Sequence, residues 1–245
     1  MAIQSSATDN DSFVSSLEAV VFDFDGTIAN TFPMFLAVFT KEIEKNFVIR
    51  QETIHDLLTQ VFLLEADDPE KERTRPQILL LKVFYRSCRQ LGMNKFSALF
   101  RSLYSAYQIR KQYDEIELFA GVKELLEELH NQGKILILVT HSSKKSVLKI
   151  LEKYDLHLIF NIILDRNDIG SNKAKGILNA LEALGIEPER SLAIGDLPAD
   201  IVEAKSVGVK TTVAVPTGLV DKNRLLAVKP DLIIESLSDL KDYLE

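Results

Sequence analysis

The sequence predicts an α/β fold: a parallel sheet with helices on both faces, interrupted once by an all-helical insertion. Three observations carry this. From Leu118 onward, short aliphatic runs alternate with amphipathic segments. A first aliphatic run, closing on Val20-Val21-Phe22, lies far upstream of the others. Between them, residues 33–117 hold apolar residues at helical spacing and no run of strand character.

Taken in order, residues 1–17 begin MAIQSSATDNDSFVSS, with neither the basic start nor the apolar core of a signal peptide, and read as a flexible polar leader. The first strand is placed at 18–24. In the insertion, Phe35, Leu36, Phe39, Ile43 and Phe47 fall at helical spacing, as do Ile54, Leu57, Leu58 and Val61, and then Ile78, Leu79, Val83 and Phe84. With FSALFRSLYSAYQIRK these give about four helices, the number a bundle needs to close a core. Their Phe and Leu stripes are expected to be that core. EADDPEKERTRP (65–76) is a charged, exposed corner.

The later strands are KILILVT (134–140), LIFNIIL (158–164), SLAIG (191–195), KTTVAV (210–215) and, at an edge, DLIIES (231–236). Helices fill the gaps in VKELLEELHNQG, KSVLKILEKYDL, KAKGILNALEALG and ADIVEAKSVG, with Gly133, Gly185 and Gly208 where C-terminal caps belong. Strand–helix alternation of this kind builds right-handed crossovers and a Rossmann-like sheet. Residues 18–32 and 118–245 form that core, and 33–117 a second domain within it.

Composition narrows the function. The chain has 245 residues, 46% of them hydrophobic, as in an ordinary water-soluble protein, and no apolar run long enough to span a bilayer. A formal charge of −7 argues against a nucleic-acid binder, but not against a small phosphorylated ligand that needs only local cations. A single cysteine, Cys88, excludes an intramolecular disulfide framework and a cysteine-rich zinc site, and the cytoplasm is the expected compartment.

In such a sheet ligands sit beyond the carboxyl ends of the strands. Those ends carry Asp23 and Asp25, then Thr140, then Gly195-Asp196. Two carboxylates about 4 Å apart repel by roughly 1 kcal/mol in water and about 4 kcal/mol at an effective dielectric of 20. The Asp23–Asp25 pair therefore keeps a proton or binds a cation.

DFDGT, VTHSS, a lysine in SNKAKGIL, and GDLPAD stand in this order on the predicted strand and helix ends, and together the chain resembles the haloacid dehalogenase-like hydrolases, in their phosphatase branch with a helical cap. The resemblance covers about 18–31 and 118–240, and the insertion falls where that family carries its cap. It implies Mg²⁺-dependent hydrolysis of a small phosphorylated metabolite through an aspartyl-phosphate, while charge and composition point to no nucleic-acid or membrane partner. Asp23 would be the nucleophile and Asp25 the acid and base for leaving group and water. Gly26 and Thr27 would shape the turn, with Thr27 hydrogen-bonding inside it. Asp196 and Asp23, with the Asp25 carbonyl, would hold the metal, supported by Asp200 directly or through water. Asp200 has a second reading as a helix cap.

Thr140 would donate to the phosphoryl group. His141, where family members often carry asparagine, either donates to phosphate or serves the structure. The lysine that neutralises the phosphate is Lys173 or Lys175. The spacing of Lys173, 23 residues before Asp196, favours it. The family's KPxP form is absent. Asn30 and Thr31 read as a turn and cap into the insertion, Lys144 and Lys145 as a solvated face. Arg73, Arg75, Lys82, Arg86 and Arg89 are basic residues of the insertion that spacing does not select among. Asp25 points to phosphate esters rather than to dehalogenation, leaving a sugar phosphomutase as the alternative. A non-catalytic protein of the same fold would tolerate loss of Asp23, Asp25 or the distal acids, and all are present.

Overall fold

The computed structural model describes residues 17–66, 76–170 and 172–243. Of the leader read at 1–17 only Leu17 is described, and it is buried, its carbonyl accepting from Lys134 Nζ at 2.6 Å; residues 1–16, the charged stretch 67–75 with Arg73 and Arg75, and residues 171, 244 and 245 lie outside the described ones. Among the described residues, six strands form one sheet: β1 Ala19–Phe22, β2 Ile135–Val139, β3 Ile162–Leu164, β4 Ser191–Gly195, β5 Thr211–Ala214 and β6 Leu232–Ile233. Its order is β3-β2-β1-β4-β5-β6 and every pairing is parallel. β1 is central: Phe22 stands level with Leu138 of β2 on one side and Ile194 of β4 on the other. The chain builds outward from β1 through β2 to β3, then crosses back to β4. That reversal opens the crevice at the carboxyl ends of β1 and β4.

Helices α1 Phe32–Glu44, α2 Gln51–Ala66, α3 Pro76–Gln90 and α4 Lys95–Gln112 lie between β1 and β2. After them come α5 Val122–Asn131, α6 Lys144–Lys153, α7 Arg166–Ile169, α8 Lys173–Ala183, α9 Pro198–Ser206 and α10 Lys222–Ala227. Two compact units result, 1–30 with 118–245 and 31–117. In the first, Val21, Ile137 and Val139 of the sheet pack against Ile177, Ala180 and Leu181 of α8 and Ala204 of α9. β1, β2 and β4 are buried on both faces, which is why they read as continuous aliphatic runs.

Three readings need correction. The run 158–164 is strand only from Ile162; Leu158 is exposed, and Asn161 turns its side chain back to accept from the Leu136 N–H at 2.9 Å. Thr31 sits at the N-cap position of α1 but makes no side-chain capping bond, because its backbone is already helical (φ −81°, ψ −28°). The third concerns α4. The apolar stripes of the other insertion helices do supply its core, including Phe39, Ile43, Ile54, Val61, Val83 and Phe84. In α4 the buried face is small instead, made of Ala98, Ser102, Ser105 and Ile109, and Phe96, Phe100 and Leu103 point to solvent. Small side chains let helix backbones approach closely, so they take the packed face and leave the aromatic one outside.

Candidate active site

The site begins where β1 ends. The Asp23 N–H still donates to the Ile194 carbonyl at 3.0 Å, after which the Phe24 carbonyl accepts from Ile28 (3.0 Å) and Ala29 (2.8 Å) and folds the chain into a tight turn. Gly26 is in the left-handed region (φ +83°), and a Cβ there would lie 2.3 Å from Asp196 Oδ2. The turn therefore needs glycine for its backbone and for space. Thr217 Oγ1, in the loop after β5, donates to the Gly26 carbonyl and fixes the turn. Thr27 is fully buried, but its hydroxyl has no hydrogen-bond partner among the described residues; the expected bond within the turn is made by its backbone N–H, 3.4 Å from the Phe24 carbonyl.

A cation reaches Asp23 from 150 residues away: Lys173 Nζ lies 2.5 Å from Asp23 Oδ1 and 2.8 Å from Asp200 Oδ1. Lys173 opens α8, where Asn172 caps the helix by accepting from Ala174 N–H at 2.8 Å and Glu203 of α9 accepts from the Lys173 N–H at 2.7 Å. The helix start is thus tied down at two points, and its first side chain is aimed into the site. Lys175, the competing lysine, lies exposed on α8, away from the buried face that carries Lys173. Asp200 combines its two sequence readings, since Oδ2 accepts from the Leu197 N–H at 3.1 Å at the start of α9 while Oδ1 holds Lys173.

Asp23, Asp196 and Asp200 are all buried and each offers an oxygen within 4.8 Å of the others. Burial pushes the Asp23 carboxyl up to about 7 against the pull of Lys173, with Asp200 and Asp25 adding to the rise. Burial, with Asp23 and Asp200 beside it, holds Asp196 well above the ordinary carboxylate range. For Lys173 burial opposes the charge, but Asp200 and Asp23 outweigh it and hold the ammonium above the usual lysine range.

One ammonium does not balance three carboxylates. Asp196 Oδ1 is also buried with no hydrogen-bond partner among the described residues. The seat around it is kept open by glycine: a Cβ on Gly218 would fall 1.7 Å from Asp196 Oδ2, and one on Gly195 2.3 Å from the Asp200 Cβ. A hard divalent cation fits this donor set of carboxylate oxygens.

Asp25 stands apart from the three. Its Oδ2 accepts from Ser142 Oγ at 2.5 Å, and the Ser142 N–H donates to Thr140 Oγ1 at 3.0 Å, so the tip of β2 is wired to the acid pair of β1. Thr140 is fully buried, its N–H on the Leu164 carbonyl at 3.0 Å, and His141 beside it is half-buried. Ser142, Glu203, Thr217 and Gly218 are the site residues that sequence reasoning missed. Only Ser142 had a signal, its place in VTHSS.

A buried ammonium between carboxylates thus stands at the carboxyl edge of a parallel sheet, the place where such sheets bind their ligands. The sequence pattern of the haloacid dehalogenase-like hydrolases matches residues 20–214, and the chain belongs to this family. It is 26% identical over 234 residues to a pyrophosphatase PpaX of Halalkalibacterium halodurans, covering 92% of this chain and 96% of that protein. It is 25% identical over 225 residues to a phosphoglycolate phosphatase of Synechococcus elongatus, covering 91% and 95%. The crystal structure of a predicted phosphoglycolate phosphatase from Haemophilus somnus superposes with a TM-score of 0.71 at 22% identity, over 94% of this chain and 99% of that one. The protein is therefore an enzyme of the hydrolase class, and its curated relatives named here are phosphatases.

Proposed function

We propose that the protein is a Mg²⁺-dependent phosphatase that hydrolyses a small phosphorylated metabolite in the cytoplasm through an aspartyl-phosphate on Asp23. The observation that carries this reading is the Lys173 ammonium held between Asp23 and Asp200 with Asp196 at their side. Lys173 occupies Oδ1 of Asp23 and leaves Oδ2 for in-line attack on phosphorus, forming the acyl-phosphate bond as the ester P–O bond breaks. Asp25 delivers its proton to the departing oxygen, then takes one from the water that attacks phosphorus, releasing inorganic phosphate and restoring Asp23. Ser142 keeps the Asp25 carboxyl in place. Thr140 and the Lys173 ammonium face the charge of the phosphoryl oxygens. Asp23, Asp196 and the Asp25 carbonyl would hold Mg²⁺, with Asp200 behind them. When bound, the ion supplies positive charge against the phosphoryl oxygens. The helical unit 33–117, inserted directly after the DFDGT turn, serves as the cap that reads the rest of the substrate.

The test is phosphate release from a panel of small phosphomonoesters and pyrophosphate, with Mg²⁺ and with chelator. The names of the relatives put 2-phosphoglycolate and pyrophosphate at its head. Release that needs Mg²⁺ and disappears in Asp23→Asn is expected. Release undiminished in that variant overturns the aspartyl-phosphate, and isomerised sugar phosphate without release moves the reading to a mutase.

A further inference from the structure

Among the described residues, most of the exposed large apolar side chains lie on one face of α4. Phe96 is 86% exposed, Phe100 67%, Tyr107 60%, Leu103 52%, Leu99 47% and Tyr104 37%. Taking about 200 Å² for each side chain, these fractions leave roughly 700 Å² of mostly apolar surface on one stripe. That exceeds the roughly 300–600 Å² of the largest patch on a typical monomer. The stripe is also ordered within itself: the rings of Phe100 and Tyr104 stack at 6.4 Å, and Lys45 lies 5.1 Å over the Tyr104 ring.

The stripe is symmetric along the helix. About the midpoint between Arg101 and Ser102, Phe96 mirrors Tyr107, Leu99 mirrors Tyr104 and Phe100 mirrors Leu103. Two copies of α4 laid antiparallel about a two-fold axis at that midpoint would set each of these residues against an apolar partner. A two-fold interface requires this self-complementarity, in which residue i meets j and j meets i. The charges of α4 obey the same register: Lys95 falls opposite Gln108, Arg110 opposite Met93 and Lys111 opposite Gly92, so no like charges of α4 face each other. Full cover of both stripes would bury at most about 1,400 Å² in all, within reach of the roughly 1,200–2,000 Å² of stable specific interfaces. The net charge of −7 disfavours the rival occupant, an anionic membrane surface.

We propose that a second copy of this chain covers the face, through an antiparallel α4–α4 contact centred between Arg101 and Ser102. Sedimentation of the full chain should give a dimer of the 27.6 kDa protomer. Phe100→Asp, a change at an exposed position, should weaken it by at least about 100-fold with an unchanged circular dichroism spectrum. Cysteine placement tests the register without relying on that variant: under mild oxidation the double variant Phe96→Cys/Tyr107→Cys should form a covalent dimer, whereas each single variant should not. A monomer at all concentrations overturns the proposal, whether or not that monomer pellets with anionic vesicles. A dimer that survives Phe100→Asp, or that cross-links as readily through either single cysteine, overturns it as well.

Discussion

At the scale of single residues, the site depends on where one lysine is delivered. Lys173 and Lys175 are two positions apart, yet a helix turns by about 200° over two residues. Only one can face inward, and it is Lys173, held by the Asn172 cap and by Glu203. Lys173→Ala should lower turnover by roughly 100- to 1,000-fold, and Lys175→Ala should leave it within about twofold; equal losses would overturn the assignment. Asp23 gives a second prediction. Its carboxyl rises from 3.8 to about 7 in the folded, metal-free protein. A raised acid binds its proton more tightly folded than unfolded, so this group adds stability as pH falls from about 7 towards 4 and costs stability above 7. Melts in chelator from about pH 5 to 8 should show a falling melting temperature, with the slope reduced in Asp23→Asn. The paired acids and Asp196 were readable because they end aliphatic runs. Thr217 and Gly218 were not, since they meet Gly26 and Asp196 from the loop after β5, a closeness created only by folding.

At the scale of elements, strand runs are readable in proportion to their burial. β2 and β4, buried almost throughout, stand out as unbroken aliphatic stretches. At the sheet edge, β3 is three residues long and its preceding apolar residues belong to a turn, so periodicity overextended it. α4 failed differently: its pattern is amphipathic, but the aromatic side faces solvent, and no single-chain pattern distinguishes a core stripe from a docking stripe. What joins elements is often one polar side chain. Asp165, after β3, accepts from the Asn167 N–H at 2.8 Å, capping α7, and from the Lys144 N–H at 2.9 Å at the start of α6. Although burial opposes it, these backbone donors hold its carboxyl below the usual range. Asp165→Ala should therefore cost about 1–2 kcal/mol, seen as a lower urea midpoint at unchanged slope. Because the folded pKa is depressed, that contribution is complete above the unfolded value near 3.8 and is lost as pH falls through the folded one. The difference between the two proteins should accordingly close in acid.

At the scale of the whole molecule, the sheet unit is discontinuous and the helical unit is contiguous. A sheet whose central strand is separated from both neighbours by a long insertion ought to fold only if the ends of that insertion meet. They do: Ala29 and Leu118 form an antiparallel bridge, and the Phe119 N–H donates to the Ile28 carbonyl at 3.1 Å. Chain closure there asks almost nothing of the core, because the exit is already seated on the entry. Replacing residues 31–117 by a short Gly-Ser linker should leave the sheet intact and the acid cluster able to take a divalent cation. The measurement is a thermal melt of this shortened chain with and without Mg²⁺. A ligand that binds only the folded state raises stability by about 2.7 kcal/mol at 100 times its dissociation constant, so a cooperative melt that moves upward with Mg²⁺ is expected. Turnover of the preferred metabolite should fall in the same chain, since the proposed cap is gone. A shortened chain that fails to melt cooperatively would show that the core depends on its insertion. One that folds but ignores Mg²⁺ would place part of the metal seat in the helices rather than in Asp23, Asp196 and Asp200.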